Sequence, residues 1–123
     1  MTLAPALPAT NDQPPRLANV DFVGGDRALR NAMEAYGAGS LIAEAEAFGA
    51  IAGSADILDA GFAANEHPPR HVPYGRSGER TDDIAFHPAW HHVLGAAVEA
   101  GVAGGVWRDA RPGAHVARAA KFI

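Results

Sequence analysis

The 123-residue sequence predicts a mainly α-helical domain with one short extended segment around residues 72–86. Apolar residues recur at the three- and four-residue spacings of helix faces through most of residues 26–123. Glycines and prolines separate these stretches, as they do between helices. Apolar residues make up 48% of the chain, but many are alanine, with only five Phe, two Trp and two Tyr. Such helices can pack closely but bury little apolar area per residue.

Composition excludes several classes of function. A net charge of −4 argues against a surface built for nucleic-acid phosphates, which requires a basic stripe. The chain has no cysteine, so disulfides and thiolate chemistry are excluded. Residues 1–15 lack the basic and apolar regions of a secretory signal, and no apolar run approaches the roughly 20 residues that span a bilayer. We therefore expect a soluble cytoplasmic protein with no membrane contact.

The first 20 residues differ from the rest because they are rich in proline: Pro5, Pro8, Pro14 and Pro15. Proline fixes φ and lacks an amide donor, so residues 1–20 are predicted to form a flexible arm rather than a helix or strand. An arm that packs on a neighbouring subunit is the alternative. Residues 21–123 are predicted to form the helical domain.

Three helices are predicted in the first half of this domain. Asp26 begins the first and Gly37 ends it, while Ser40 and Ser54 are predicted to cap the second and third. The residue before a proline is pushed out of the helical region, so the third helix is predicted to end at His67. The predicted apolar faces comprise Leu29, Ala32, Met33 and Tyr36; Leu41, Ala45, Phe48 and Ala52; and Ala55, Leu58 and Phe62.

Two short apolar segments, 72–74 and 83–86, surround the turn-rich residues 75–79 and predict an irregular hairpin. Pro88 is then the expected first residue of a fourth helix, with His87 at its cap. The spacing of that helix predicts a buried face formed by Trp90, Val93, Leu94, Ala97 and Val98.

A last helix is predicted to begin near Gly113, with one apolar face formed by Val116, Ala119, Ala120 and Ile123. Because this face is still apolar at Ile123, we expect the domain to be the front part of a longer protein. For the same reason we expect the isolated chain to be marginally stable or self-associating. The basic residues around this helix and the acidic Glu44 and Glu46 are interpreted as solvated surface; the basic set is Arg108, Arg111, Arg118 and Lys121.

Histidines concentrate around the start of the fourth helix. His87 and His91 are four residues apart, a spacing that can bind zinc when a third ligand is near. Pro88 stands where a catalytic zinc helix carries glutamate, and the His67–His71 pair is interrupted by two prolines. We therefore interpret the histidines as hydrogen-bonding groups at a packed joint, with Phe86 and Trp90 anchored in the core.

Asp82 and Asp83 allow two interpretations. They form a general acid/base pair if their pKa values are split, or they stabilise the positive N-terminal pole of the following helix. Arg76 and Arg80 are near enough in sequence to pair with them. No nucleophile lies in a recognisable elbow, and the glycines at 24–25 and 101–105 lack the strand and lysine of a phosphate-binding loop.

Three segments resemble the N-terminal part of the AidB family, acyl-CoA dehydrogenase-like flavoproteins of the adaptive response to DNA alkylation. They are Arg80-Thr-Asp-Asp-Ile-Ala-Phe-His-Pro-Ala-Trp-His-His92, Trp107-Arg-Asp-Ala-Arg-Pro-Gly-Ala-His-Val-Ala-Arg-Ala-Ala-Lys-Phe122 and Ala64-Asn-Glu-His-Pro-Pro69. The resemblance covers about residues 19–122, and its Phe-His-Pro-Ala-Trp-His run is compositionally unusual.

The resemblance implies a full-length protein with an N-terminal helical domain, a β domain, a four-helix flavin-binding domain and a C-terminal extension. It implies a homotetramer that binds FAD, has weak acyl-CoA dehydrogenase activity, and binds double-stranded DNA mainly through its C-terminal region. Residues 21–123 match most of the acyl-CoA dehydrogenase-type N-terminal helical domain, without the β and flavin domains. We therefore predict no catalytic, cofactor-binding or metal-binding residue here, no FAD on this chain alone, and DNA contact only through absent regions.

Two classes of function follow. The first is the N-terminal domain, or a truncated form, of an AidB-like flavoenzyme that is inactive alone and associates with itself or with the remainder of the enzyme. The alternative is a stand-alone helical interaction module that docks to a partner or to a full-length relative. A small histidine metalloprotein is a third option.

Overall fold

The computed structural model describes residues 14–123, and in this range the fold is mainly α with one two-stranded antiparallel sheet, as predicted. The predicted arm at residues 1–13 lies outside the described residues. The elements in order are α1 (Arg27–Ala35), a 3-10 turn (Gly39–Leu41), α2 (Ile42–Ala52), α3 (Ala55–Glu66), β1 (Arg70–Tyr74), β2 (Arg80–Ala85), α4 (Pro88–Glu99), a second 3-10 turn (Gly105–Trp107) and α5 (Ala114–Phe122).

Most predicted helix starts are confirmed by hydrogen bonds. The Asp26 carboxylate accepts from the Ala28 and Leu29 amides at 2.9 and 3.0 Å, and Ser54 Oγ accepts from the Ile57 amide at 3.3 Å. The prediction for Ser40 was wrong. It lies within the first 3-10 turn, which leads directly into α2 without a side-chain cap. That turn already directs the chain into α2, so the serine is not at the cap position.

The hydrophobic core lies between α1, α2 and α5, where small side chains allow close packing. Gly113, at φ +78°, precedes α5, and a Cβ there would lie 2.4 Å from the Gly37 carbonyl oxygen. The chain therefore passes against the end of α1 at a point that only glycine allows. The buried core residues are Val23, Met33, Ala38, Leu41, Ile42, Ala45, Ala114, Ala117 and Ala120.

Two predicted faces are only partly right. Met33 of α1 is buried, but Tyr36, the residue that caps the C-terminal end of α1, is 75% exposed. The buried face of α5 is its alanine face, while Ile123 is 94% exposed. The alanine face is selected because α1 and α2 approach too closely for larger side chains.

Helices α3 and α4 pack against each other, and the β1–β2 hairpin joins them. No residue in these two helices or the hairpin is fully buried. The predicted buried face of α4 was therefore wrong: Leu94 and Val98 are 42% and 58% exposed, while Trp90 is half-buried. The reason is that α4 packs mainly on α3 and stands apart from the core.

The described part of the predicted arm lies beside α2 and α3. The Val20 amide donates to the Gly53 carbonyl at 3.2 Å, and the Ala55 amide donates to Asn19 Oδ1 at 3.0 Å. Arg16 forms an ion pair with Asp59 of α3. Residues 16–20 thus contact the helical domain, while the domain boundary at residue 20 stays a prediction.

Candidate functional site

The segment Arg80–His92 is the first candidate site, and its aspartates lie in the hairpin rather than before a helix. Asp82 has φ +50° and lies in β2 at the register irregularity of the hairpin, between the Val72–Asp83 and Tyr74–Arg80 pairs. Its carboxylate accepts from Arg80 Nε at 2.6 Å and lies 3.2 Å from His71 Nε2. The pairing with Arg80 was foreseen, but the role at the helix N-terminus is wrong for Asp82. The carboxylate is used within the hairpin.

His87 connects the start of α4 to the end of α3. Its Nδ1 accepts from the Ala89 amide at 3.2 Å, which confirms the predicted cap. Its ring stacks on His67, with centroids 4.6 Å apart and planes inclined by 19°. His67 in turn donates from Nδ1 to the Ala63 carbonyl at 3.0 Å. The two Nδ1 hydrogen bonds and the stack therefore fix both imidazoles at the joint between α3 and α4.

An aromatic cluster follows at the first turn of α4. Phe86 and Trp90 stack with centroids 4.3 Å apart, and the His91 ring meets both edge-on. Phe86 and Trp90 were expected in the main core. They are instead half-buried and pack at the joint between the hairpin and α4. These contacts fix the orientation of α4 relative to the end of β2.

His92 pairs with the other end of α3, since its Nε2 lies 2.7 Å from the Asp56 carboxylate. The histidines of the joint are therefore distributed among separate partners rather than converging on one point. Within residues 14–123, no three His, Asp or Glu side chains are grouped in a way that could hold a metal ion. Of the two predicted pairs, His67 stacks on His87, His71 contacts Asp82, and His91 contacts Phe86 and Trp90.

An open groove of about 660 Å³ lies between the α2–α3 junction and α4. Its floor is largely apolar, with Ile51 and Ile57 on one wall and Gly95 and Ala96 on the other. Asp56 and Glu99 place carboxylates on its rim. An open groove with an apolar floor and charged rim is suited to a helix or peptide rather than to an enclosed small molecule.

These described residues do not fit FAD. No lysine or arginine lines the groove, so its lining supplies none of the cations that usually hold the pyrophosphate of a dinucleotide. The Gly101–Gly105 segment forms turns after α4 rather than a strand-to-helix phosphate loop. We therefore derive no step through a flavin from this chain.

The sequence interpretation missed one electrostatic network. Arg111 grips Asp109 through Nε at 2.9 Å and a terminal nitrogen at 2.6 Å, and reaches Glu44 of α2 at 2.9 Å. Lys121 of α5, whose side chain is 7% exposed, donates to Glu44 at 2.7 Å and to the Ala100 carbonyl at 3.2 Å. Arg118 donates to the Val102 carbonyl at 2.6 Å. The network connects α2, α5 and the loop between α4 and α5.

The expectation of solvated surface was wrong for Lys121, whose side chain is nearly buried, whereas Glu44 and Arg111 are exposed and form their ion pairs at the surface. Glu46 is half-buried and lies 3.0 Å from Arg30 Nε. Hydrogen bonds from Lys121 and then Arg111 lower the pKa of Glu44. Hydrogen bonds from the Arg111 side chain and backbone lower the pKa of Asp109 to about 2. The pKa of Arg111 is raised, first by Asp109 and then by Glu44. Nothing in the sequence spacing signals these contacts, since the partners are 67 and 77 residues apart.

No helix in the described range is long and apolar enough to cross a membrane.

The residues that differ most from an ordinary solvated surface are the apolar side chains of α3 and α4. Phe62, Leu94 and Val98 are each more than 40% exposed. The helix pair α3–α4 is the second candidate site, because exposed apolar side chains at this density mark interaction surfaces.

Comparisons with known proteins agree with this geometry. Residues 12–123 match the family described as the adaptive response protein AidB N-terminal domain. Over 113 residues, 91% of this chain, the sequence is 40% identical to the Escherichia coli (strain K12) protein named "Putative acyl-CoA dehydrogenase AidB". Among solved structures, the chain is similar to "Bd2924 apo-form" with a TM-score of 0.73 and 25% identity over 85% of its length. The chain spans 21% of the first relative and 22% of the second.

Proposed function

The chain belongs to the AidB N-terminal domain family, and from this premise we propose that it serves as the N-terminal helical domain of an acyl-CoA dehydrogenase-type flavoprotein of the DNA alkylation response. The observation that carries the proposal is the family match over residues 12–123, which includes the helices and strands that the structure describes. In this role the domain is a scaffold: it contributes surface to a larger assembly and no reacting group of its own.

The chain is proposed to be inactive alone. FAD would be held by other domains, in a cytoplasmic homotetramer, and DNA would be contacted outside residues 1–123. The lining of the groove supports this division of roles, because it contains no lysine or arginine to bind a pyrophosphate or a DNA backbone. The exposed apolar side chains of α3 and α4 support it as well, since they offer a surface on which further protein can pack.

Reconstitution tests the proposal. The chain would be co-expressed with the part of the Escherichia coli relative that follows the matched region, supplied as a separate polypeptide. We expect no flavin absorbance from the chain alone, and stoichiometric FAD and acyl-CoA dehydrogenase activity from the complex. The remaining domains without the chain, and the complex with a Met33→Ala chain, serve as controls for the contribution of the folded domain.

Stoichiometric FAD on the chain alone would contradict the proposal, as would a complex no more active than the remaining domains by themselves. The link to alkylation is tested separately, by measuring the transcript of this chain in its host before and after a methylating agent. An unchanged transcript would remove that part of the proposal and leave the domain assignment intact.

The exposed apolar side chains of the helix pair α3–α4 favour the alternative function, an interaction module that docks to a full-length relative. A purified full-length flavoprotein of the family would be titrated with the chain. Saturable binding to the intact relative, without any gain of flavin or activity, is the result that the module predicts. The scaffold proposal predicts binding only to the relative that lacks its own N-terminal domain.

A further inference from the structure

The first described residues of the chain run along α3 in a definite direction. The Asn19 side chain accepts from the amide of Ala55, the first residue of α3, at 3.0 Å. Arg16, which lies closer to the N-terminus of the chain, pairs with Asp59, about one turn further along α3. The arm and α3 are therefore antiparallel, and the path toward the N-terminus leads to the C-terminal end of α3.

This path leads to a largely exposed aromatic side chain. The guanidinium of Arg16 lies 5.1 Å from the centroid of the Phe62 ring, and Phe62 is 61% exposed. Asn65, three residues after Phe62, is its neighbour on the helix surface and lines an open cavity between α3 and α4. The described part of the arm thus comes within about one helical turn of this cavity.

The cavity has a volume of about 390 Å³ and an uncharged lining. Gly61 forms part of its wall, and a Cβ built there would meet no atom of the described chain within 4 Å. A glycine within a helix costs about 1 kcal/mol relative to alanine, and here it widens the space that the Trp90 ring also lines. The lining includes Gly61, Ala64 and Asn65 of α3 and Trp90, Val93 and Leu94 of α4.

The sequence before the described residues matches this lining in chemistry. Residues 1–11 carry no charged side chain and include Leu3, Pro5, Leu7 and Pro8. Proline-rich segments bind aromatic-lined grooves in the polyproline II conformation, because their backbone is already restricted before binding and loses little entropy. The leucines supply apolar area to bury. The Asn65 side chain supplies an amide donor for the backbone carbonyls of such a segment.

Chain length selects Leu7 among these residues. Crossing α3, which is about 10 Å in diameter, and following the cavity for two turns of α4 requires about 20 Å. Leu7 is nine residues before Arg16, and nine residues in the polyproline II conformation span about 28 Å. Leu7 therefore reaches the cavity. Leu3 lies four residues further along the chain and about 12 Å beyond Leu7.

We propose that residues 1–13 form an intramolecular strap, which crosses Phe62 and places Leu7 in the cavity beside Gly61 and Trp90. The strap continues the path of residues 16–20 and covers the cavity between α3 and α4. It leaves open the separate groove at the α2–α3 junction. The family match begins at residue 12, so the strap does not follow from membership of the family.

Tethering favours the strap over another occupant of the cavity. Arg16 contacts both Asp59 and Phe62, so the segment before it starts at the surface that it covers. A short flexible tether gives an effective concentration in the millimolar range, and the strap loses none of the translational freedom that a separate polypeptide loses on binding. A second copy or a further domain therefore reaches the cavity only by displacing the strap.

Disulfide trapping tests the strap, because the natural chain has no cysteine. A chain with Leu7→Cys and Leu94→Cys has one thiol on the strap and one on the cavity lining. The matched control combines Leu7→Cys with Ile51→Cys: Leu94 and Ile51 are 42% and 49% exposed, but Ile51 lines the groove at the α2–α3 junction. We expect the first pair to form a disulfide within one chain at least about tenfold faster than the second, because docking raises the local thiol concentration.

Three outcomes of this trapping would overturn the strap. Equal rates for the two pairs would mean that the segment has no preferred site. Disulfide-linked dimers in place of closed monomers would mean that it packs on another copy of the chain. No disulfide in either chain would leave the cavity to another occupant, such as a further domain of the larger protein.

The Trp90 indole N–H resonance gives a second measurement without a covalent link. Leu7→Asp replaces the apolar anchor with a charge, so we expect the Trp90 resonance of the full chain to shift. The resonance of Trp107, which is 83% exposed and lies outside the cavity lining, should stay in place and is identified by Trp107→Phe.

Leu3→Asp is the matched control for this measurement and should leave both indole resonances in place, because Leu3 lies beyond the cavity. A Trp90 resonance that Leu7→Asp does not move, or that both substitutions move equally, would contradict the position of Leu7. Neither measurement involves flavin or activity, so the strap and the proposed flavoprotein role can fail separately.

Discussion

The imidazole rings of His67 and His87 stack 4.6 Å apart and join two helices that are separated in sequence by the whole hairpin. His67 lies at the C-terminal cap of α3, and His87 lies at the N-terminal cap of α4. The stacked pair therefore joins the C-terminal end of α3 to the N-terminal end of α4. The two histidines that flank the hairpin thus contact each other directly.

Replacing His87 tests this joint. His87→Ala removes the acceptor of the Ala89 amide and the stack on His67, so we expect a loss of about 1 kcal/mol in the free energy of unfolding. Urea denaturation at neutral pH measures it. His87→Asn, which keeps a capping acceptor, should recover part of the loss. Equimolar zinc in the natural chain, purified without a His tag and lost in His87→Ala, would instead make the histidine cluster a metal site.

The position of the core makes a second prediction. Met33 is 1% exposed and is the largest fully buried side chain, so Met33→Ala should lower the free energy of unfolding by about 3 kcal/mol. Leu94→Ala in α4 is the control. We expect it to lower the free energy of unfolding by less than about 1 kcal/mol, because Leu94 buries less area. Urea denaturation compares the two. Equal losses would mean that α4 belongs to the main core.

The contact between Lys121 and Glu44 makes a third prediction. Lys121→Met keeps the aliphatic stem but removes the donor to Glu44 and to the Ala100 carbonyl, so we expect a loss of about 1–2 kcal/mol. A double-mutant cycle with Glu44→Gln separates the pair from the carbonyl contact. Arg108→Met, an exposed cation without an ion pair in residues 14–123, should leave stability nearly unchanged.

Acid sensitivity is the fourth prediction. Arg111 lowers the pKa of Asp109 from 3.8 to about 2, so the folded state binds a proton less readily than the unfolded state. The contribution is therefore complete above about pH 4 and is lost as pH falls through about 2. Asp109→Asn should flatten the decline of melting temperature across this window.

Asp83→Asn is the matched control for that measurement, because Asp83 has no ion pair in the part of the chain that the structure describes. Its melting curve should keep the natural decline with acid. High salt should reduce the difference between natural chain and Asp109→Asn, since partly exposed ion pairs are screened. An Asp109→Asn chain as acid-sensitive as the natural one would contradict the assignment.

Local chemistry made several features of the fold and site predictable. The caps at Asp26, Ser54 and His87 and the helix end at His67 depend on residues next to one another in the chain. The hairpin is also local, because its strands are separated by a few turn-forming residues. For such features, side-chain and backbone groups meet whatever the rest of the molecule does.

The sequence by itself thus determined where the helices and hairpin lie, and its unusual Phe-His-Pro-Ala-Trp-His run identified the family. The tertiary structure alone decided which faces are covered. Met33 is buried and Leu94 exposed although both lie on apolar helical stripes, because α1 packs within the core beside α5 and α4 packs mainly on α3. It also decided that Glu44 meets Arg111 and Lys121, since pairs so distant in sequence depend on how whole helices pack.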